Sequence, residues 1–145
     1  MKQQILIREM RRQDASAVAE LSGELGYSAM TGEMGKRFEH LAGSPEHAVF
    51  VACSDDAVVG WIDVAIVHHL ASEPFGEIGG LVVSDAHRGQ GTGHLLVKHA
   101  EKWIAGCGVR KVVVRSRTTR ERAHRFYLKN DYLEWKRQVV FSKEI

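Results

Sequence analysis

The chain has 145 residues, of which 44% are hydrophobic and 26% are charged, and its formal net charge at pH 7 is +2. This length suits a single domain over residues 1–145, and so small a net charge argues for neither nucleic-acid binding nor membrane binding. The chain has no apolar signal region and no apolar run of membrane-spanning length, so we expect a cytoplasmic protein.

The cysteine and histidine residues give no sign of a metal site. Cys53 and Cys107 have neither metal-ligand spacing nor the pattern of a disulfide framework, so we expect reduced thiols, with Cys53 buried in a strand. His68 and His69 lack a third ligand at suitable spacing. The sequence therefore predicts no bound metal.

The first half of the chain predicts one strand, two helices and a hairpin. Alternation around Ile5 and Ile7 indicates a strand over residues 4–9, and Asp14 is a good N-cap for a helix that follows. The apolar face of that helix consists of Val18, Leu21 and Leu25. A second helix starts after Thr31 and stops at residues 43–45, with Met34, Phe38 and Leu41 on one face.

Extended segments fill the middle of the chain. Residues 48–53 and 58–67 read as two strands joined by the acidic turn 54–56, and Pro74 marks the next break. Residues 75–83 form a third extended run with Gly79-Gly80 at its centre. Glycine at such a position predicts a bulge or a close approach of another molecule.

The second half of the chain predicts two more helices and three strands. One helix ends at Gly106 and Gly108, with Leu96, Ala100, Trp103 and Ile104 along its apolar face. Residues 111–115 are a strand parallel to the run before that helix, because a helix joins the two. Thr118 or Thr119 caps the last helix, which includes Ala123, Phe126 and Tyr127, and strands over 133–135 and 138–141 form a closing hairpin.

This order of elements predicts a mixed α/β (α+β) fold. We expect a central, mostly antiparallel sheet of about seven strands, with one parallel pair at its centre and about four helices around it.

The loop over residues 88–93 carries the strongest functional signal. Glycine at 89, 91 and 93 allows successive N–H groups to converge at the start of a helix, whose partial positive charge suits a phosphate or pyrophosphate. Arg88 adds a formal charge. The spacing does not fit the dinucleotide fingerprint G-x-G-x-x-G, and His94 follows Gly93 where an ATP or GTP P-loop needs lysine.

The pattern Arg88-x-x-Gly91-x-Gly93, after a strand and before a helix, resembles the pyrophosphate signature of the GNAT superfamily, the acetyl-CoA-dependent N-acetyltransferases. The resemblance extends over nearly the whole chain. Residues 77–83 are similar to the central strand of the family. Residues 100–103, followed by Gly108, resemble the end of its cofactor-binding helix.

The late helix resembles the family as well, with one departure at its end. Residues 120–127 are similar to the helix that carries the family tyrosine, but Asp131 precedes Tyr132 where the family usually has glycine. A left-handed residue is expected there, and aspartate tolerates that conformation better than most residues.

The resemblance implies acetyl-CoA as cosubstrate, lying in a cleft where the two parallel strands splay apart. The main chain of Leu81, Val82 and Val83 would bind the pantetheine amides, and a strand N–H near the bulge would polarise the thioester carbonyl. The pyrophosphate would be bound by the loop residues Arg88, Gly89, Gln90, Gly91, Thr92 and Gly93.

Two side chains are candidates for acid–base catalysis. Tyr127 would protonate the CoA thiolate as it leaves, and Glu77 would remove a proton from the amine. The alternatives stay open: Tyr127 and Phe126 suit a packed aromatic pair, Glu77 suits a salt-bridged strand residue, and His68 or His69 would then accept the proton.

The resemblance implies transfer of an acetyl group to a primary amine of an unidentified acceptor, by direct attack in a ternary complex. The alternatives are transfer of another acyl group and a CoA-binding regulatory module without turnover. One or two basic residues between 110 and 125 suit contact with CoA phosphates better than nucleic-acid binding. Exposed sheet edges and the closing hairpin are compatible with a homodimer.

Overall fold

A computed structural model describes residues 4–24 and 30–145, so the predicted places of Leu25 and Gly26 at the end of the first helix lie outside the described residues. The structure consists of two compact units. The first is Met1–Arg115 and the second is Ser116–Ile145.

The first unit is built on one five-stranded sheet with the order β1-β2-β3-β4-β5. Neighbouring strands are antiparallel except for β4 and β5, which are parallel as the connecting helix predicts. The mixed α/β fold class is therefore confirmed. The strands are β1 (Ile5–Glu9), β2 (His47–Ser54), β3 (Ala57–His69), β4 (Ser72–Val83) and β5 (Val112–Val114).

Three helices cover the two faces of this sheet: α1 (Ala15–Glu24), α2 (Thr31–Ala42) and α3 (Thr92–Gly106). Trp61 of β3 and the apolar residues of α2 pack against a core cluster that includes α1, whereas Ile66 of β3 packs with Ile104 of α3. Successive strand residues point to opposite faces, so α1 and α2 lie on one face of the sheet and α3 lies on the other. The apolar periodicities of α2 and α3 predicted these helices.

A β-bulge interrupts β4 at the predicted glycine pair. Asp63 of β3 pairs with Gly80, and the next residue, Val64, pairs with Ile78, so Gly79 is the extra residue. The pairing of β4 with β5 also ends at Ile78, although β4 continues to Val83. Beyond the bulge, β4 therefore has a strand neighbour only on the β3 side within the described chain, at the place where the sequence predicts a splay.

The hairpin of β3 and β4 is longer than the sequence indicates. We expected β3 to end at residue 67 and Pro74 to break the chain. Instead, β3 continues to His69, and Pro74 lies within β4. The register is irregular at this point, because Val67 pairs with Phe75 and His69 pairs with Ser72. Pro74 falls in the irregular stretch, where its lack of an N–H costs no ladder hydrogen bond.

The second unit contains helix α4 (Glu121–Lys129). Its N-cap is Arg120, so the prediction of a threonine cap is wrong by one or two residues. Asp131 has φ 70°, and the N–H of Tyr132 donates to the carbonyl of Tyr127 at 3.0 Å. The predicted left-handed aspartate at the helix end is therefore confirmed, and it allows the chain to close a Schellman-type turn.

The closing hairpin predicted over 133–135 and 138–141 is wrong for the described structure, which has no strand after Val114. The sheet consequently has five strands, not about seven, and its parallel pair lies at an edge. A two-stranded hairpin is marginal unless it buries an apolar face, and the side chains of this segment are exposed. The exposed apolar residues are Leu133, Trp135, Val139, Val140, Phe141 and Ile145.

A buried ion pair fixes the chain between β1 and α1. Asp14 was predicted as an N-cap, but its carboxylate binds backwards, to the Arg8 guanidinium at 2.7 and 2.9 Å and to the Arg11 N–H at 2.7 Å. The Asp14 side chain is only 7% exposed. The hydrogen bond from Arg8 is the largest cause that lowers the pKa of Asp14 below its ordinary 3.8, against the opposing effect of burial.

We predict that Asp14→Asn lowers the free energy of unfolding at pH 7 by about 2 kcal/mol, because Arg8 loses its counter-charge. A lowered pKa gives stability that is present above the ordinary value of 3.8 and is lost as the pH falls through the lowered pKa. The difference between wild type and variant should therefore shrink in acid. Urea unfolding at pH 7 and pH 3 measures it.

The control for Asp14→Asn is Glu39→Gln, which removes the exposed ion pair of Glu39 with Arg12. An exposed pair contributes at most about 1 kcal/mol, so this variant should change stability little. Equal losses in the two variants, or a loss for Asp14→Asn that does not change with pH, would contradict the assignment.

Candidate active site

The loop between β4 and α3 has the backbone that an anion site needs. Gly89 and Gly91 have φ 76° and 83°, a left-handed conformation that glycine adopts without strain. Gly91 is the N-cap of α3, which starts at Thr92 and includes Gly93 in its first turn. The unpaired N–H groups of that turn and the positive end of the helix dipole therefore lie directly after the glycine loop.

Side chains of the loop are held close to the end of β4. Arg88 forms an ion pair with Asp85 at 2.9 Å and makes a long hydrogen bond of 3.4 Å to the Val83 carbonyl. Gln90 makes a similar long bond to the Ala86 carbonyl. Thr92 is 1% exposed, and its hydroxyl has no hydrogen-bond partner in the described chain.

The last residues of β4 connect this loop to the bulge. Leu81, Val82 and Val83 pair with Ile62, Trp61 and Gly60 of β3. No β5 residue pairs with them within the described ranges. Within the described residues, the edge of β4 that faces away from β3 thus has no paired strand between the bulge and the loop.

Glu77 lies on the sheet face that α1 and α2 cover. It pairs with Ala65 of β3 and is one of the residues that pair β4 with β5. Its carboxylate forms an ion pair with Arg115 at 3.3 Å, and its side chain is 29% exposed. The structure therefore has the salt-bridged strand residue that the sequence offered as an alternative, at a position that still reaches solvent.

A second carboxylate, which sequence reasoning missed, lies beside the bulge. A Cβ atom on Gly79 would be 2.5 Å from Oδ2 of Asp63, and one on Gly80 would be 3.1 Å from its Oδ1. The signal was available, because Asp63 is the one charged residue in the apolar run 58–67. Its place beside the bulge depends on the strand register, which sets Asp63 opposite Gly80.

The surroundings of Asp63 change its acidity. Burial raises the pKa of Asp63 above the ordinary 3.8, and the charge of Glu77 raises it further. A hydrogen bond from the Gly80 N–H and the charge of His47 act in the opposite direction. Asp63 is therefore easier to protonate than an aspartate in water.

The two candidate histidines lie at the end of β3, not after it as expected. Nε2 of His68 is 2.8 Å from Oε2 of Glu46, and the ring of His69 contacts Phe75 with centroids 5.8 Å apart. Both side chains are exposed. Each histidine thus has a structural neighbour of its own.

Tyr127 belongs to the second unit. It is half-buried in α4, and its ring centroid is 5.1 Å from that of Phe126 and 5.7 Å from that of Tyr132. An aromatic cluster of this kind stabilises the end of α4. The aromatic pair expected as an alternative therefore exists, and it leaves the role of the hydroxyl open to experiment.

The described residues also settle the state of the two cysteines. Cys53 is buried and Cys107 is exposed, and both are free thiols. Residues 4–24 and 30–145 contain no group of three His, Cys, Asp or Glu side chains placed to hold a metal ion. None of the helices described is long and apolar enough to cross a membrane.

The family follows from comparison with known proteins. Residues 9–132 match the model of the acetyltransferase (GNAT) family. The chain belongs to this family, and it is therefore an acyltransferase whose cosubstrate is acetyl-CoA. A search of curated protein sequences gives no match.

Solved structures of N-acetyltransferases share the fold. Aminoglycoside N-acetyltransferase AAC(6')-Iy in complex with CoA has a TM-score of 0.88 and 18% identity, over 100% of this chain and 98% of that chain. The apo 6'-N-acetyltransferase AAC(6')-IG from Acinetobacter haemolyticus has a TM-score of 0.83 and 21% identity, over 97% and 99%. Glucosamine-6-phosphate N-acetyltransferase from Arabidopsis thaliana has a TM-score of 0.82 and 21% identity, also over 97% and 99%.

We predict that Asp63→Asn raises the melting temperature at pH 7. The folded protein binds the Asp63 proton more tightly than the unfolded chain does, so this group makes the protein less stable as the pH rises from 3.8 through the raised pKa. Asparagine keeps the shape without the buried charge. The gain should disappear below pH 3.8, and calorimetry at both pH values measures it.

The control is Asp56→Asn in the exposed β2–β3 turn, which should leave the melting temperature unchanged. A lower melting temperature for Asp63→Asn at pH 7 would mean that the Asp63 charge stabilises the fold.

Proposed function

We propose that this acetyltransferase transfers the acetyl group of acetyl-CoA to a primary amine, by direct attack of the amine within a ternary complex. The observation that carries the proposal is the bulge at Gly79. It lies where β4 loses its pairing with β5, beside the carboxylates of Glu77 and Asp63. Glu77, the outer edge of residues 81–83 and the glycine loop therefore follow one another along β4 and the segment after it.

The proposed path of acetyl-CoA follows the edge of β4 that faces away from β3. The main chain of Leu81, Val82 and Val83 binds the pantetheine amides. Loop 88–93 binds the pyrophosphate through the first turn of α3 and through Arg88, whose present partner Asp85 is 73% exposed and open to exchange.

The proposed reaction has three steps. Glu77 takes a proton from the ammonium group, directly or through water, and the free nitrogen lone pair attacks the thioester carbon. A strand N–H near the bulge stabilises the oxyanion of the tetrahedral intermediate. The C–S bond then breaks, the nitrogen gives its second proton to solvent water, and the thiolate takes one proton from a donor that solvent reprotonates, so one proton is released in each turnover.

We propose Tyr127 as the donor of the proton to the thiolate. The support comes from its place in a late helix similar to the one that carries the family tyrosine. We also propose that residues 1–145 act as one domain, because the family match over 9–132 includes residues of both compact units.

The acceptor is proposed only as a class. The similar structures include enzymes named for aminoglycosides and for glucosamine 6-phosphate, which supports an amino sugar or another cationic amine. We propose self-association as well, supported by the exposed apolar side chains between Leu133 and Ile145. Two free thiols support a cytoplasmic location.

The experiment that tests this function is release of free CoA thiol from acetyl-CoA in the presence of primary amines. Neamine, glucosamine and 1,5-diaminopentane form the first panel, with mass spectrometry of the acetylated product. Amine-dependent thiol release with N-acetyl product is the expected result. CoA binding by calorimetry without turnover of any amine would favour the regulatory module instead, and faster turnover of a different acyl-CoA would favour another acyl group.

We predict that Gly91→Asp lowers CoA affinity at least tenfold, about 1.4 kcal/mol, because it places a negative charge beside the pyrophosphate site. The structure has open space at this position, and aspartate tolerates the left-handed conformation better than most residues. Isothermal calorimetry measures the affinity. Gly106→Asp, at the far end of the same helix and also in open space, is the control and should bind CoA normally.

We predict that Glu77→Gln lowers kcat about 100-fold or more, with little change in the KM for acetyl-CoA. The deficit should shrink as the pH rises, because more of the amine arrives already deprotonated. A pH–rate profile with one acceptor measures it, and Glu73→Gln, an exposed change on the same strand, is the control. Parallel profiles of wild type and Glu77→Gln would show that Glu77 is not the base.

A further inference from the structure

Asp63 lies on the same sheet face as Glu77, and the chemistry proposed above makes no use of it. Its carboxylate occupies the space that side chains on Gly79 and Gly80 would fill. Ala65 is the next residue of β3 on this face, and it pairs with Glu77. On this face Ala65 thus separates the two carboxylates and forms a floor of one small side chain between them.

The charges around this floor are unbalanced. Arg115 is the ion-pair partner of Glu77, whereas no Lys, Arg or His nitrogen lies within 4 Å of the Asp63 carboxylate in the described part of the chain. The more distant charges that act on Asp63 are those of His47 and of Glu77, which oppose each other. A carboxylate partly removed from water without a cationic partner is unfavourable, and a cationic ligand would relieve that cost.

An indole ring adjoins the same floor. Trp61 is two residues before Asp63 and on the same face of β3, and its Cη2 and Cζ3 atoms lie 2.8 and 3.0 Å from the Cβ position of Gly80. Its buried Nε1–H has no hydrogen-bond partner among the residues described. Aromatic rings attract cations, so an ammonium group beside Asp63 would have an indole ring close to its carboxylate partner.

We propose that Asp63 binds the ammonium group of the acceptor and selects amines that have no carboxylate on the carbon bearing the nitrogen. This inference rests on the proposed function and names the substrate class of the same site. An α-amino acid would bring its own carboxylate against Asp63 and Glu77, and like charges at this distance repel. Amino sugars and polyamines carry no such group.

Asp63 thus has a different role from Glu77. Asp63 holds the cation in place, and Glu77 accepts the proton that the cation gives up. Removing the charge of Asp63 should therefore raise the KM for the acceptor and leave the KM for acetyl-CoA unchanged. Removing that of Glu77 should instead lower kcat.

The first arm of the test measures binding without turnover. Calorimetry compares tyramine with tyrosine, which differs from it by one carboxylate on the carbon that bears the only amine, each titrated into the complex of the protein with CoA. We expect tyramine to bind at least tenfold more tightly than tyrosine to wild type, and at least tenfold less tightly to Asp63→Asn than to wild type. 2-Phenylethylamine and phenylalanine form a second matched pair. Asp56→Asn, an exposed change of the same chemistry, should behave as wild type.

The second arm measures turnover of the same amines, with circular dichroism to confirm that Asp63→Asn is folded. Asp63-dependent binding without any turnover would refute the proposed function and keep the ammonium site. Turnover with an acceptor KM that is the same in wild type and Asp63→Asn would keep the function and overturn the role of Asp63. That role is also overturned if neither tyramine nor 2-phenylethylamine binds wild type, or if tyrosine and phenylalanine bind as tightly as their decarboxylated partners.

Discussion

The glycine bulge in β4 is the constraint on which the rest of the site depends. It shifts the register by one residue between Asp63 and Val64, so the faces that β4 presents before and after the bulge do not follow one simple alternation. It also marks the place where β4 and β5 stop pairing. Without Cβ atoms at Gly79 and Gly80, the Asp63 carboxylate fits against the strand. A strand edge and two acidic groups therefore meet at one point.

The remainder of the first unit keeps this point in place. β3 is long and pairs with β4 from Gly60 to His69, and the ladder is regular from Gly60 to Asp63 on one side of the bulge and from Val64 to Val67 on the other. Helix α3 packs on the opposite face, and Gly76 leaves room there for the Ile104 side chain. The same helix begins immediately after the glycine loop. Packing of one helix thus fixes the strand edge and the anion site relative to each other.

Much of this arrangement could be predicted from the sequence because it depends on local patterns. Apolar periodicity indicated α2 and α3, and a helix between two apolar runs indicated that β4 and β5 are parallel. The Gly79-Gly80 pair indicated a bulge, and Asp131 at a helix end indicated a left-handed residue. These features follow from residue type and spacing over a few positions, so no knowledge of distant contacts was needed.

The features that were missed depend on contacts between distant parts of the chain. Asp63 has a role only because the register sets it opposite Gly80, and Asp14 binds Arg8 across a turn where the sequence favoured a cap. Pro74 is tolerated because the ladder is irregular beside it. The segment after Tyr132 also departs from its sequence pattern, since its strand-like residues form no strand in the described structure.

In the proposed function, acetyl-CoA lies along the edge of β4 that faces away from β3 and over the start of α3. The most direct test is the change in backbone amide chemical shifts of the ¹⁵N-labelled protein as CoA is added. We predict the largest changes in residues 80–83 and 89–93, with little change in β1, which lies at the far edge of the sheet. Saturable changes concentrated in β1 and β2, with the glycine loop unaffected, would contradict it.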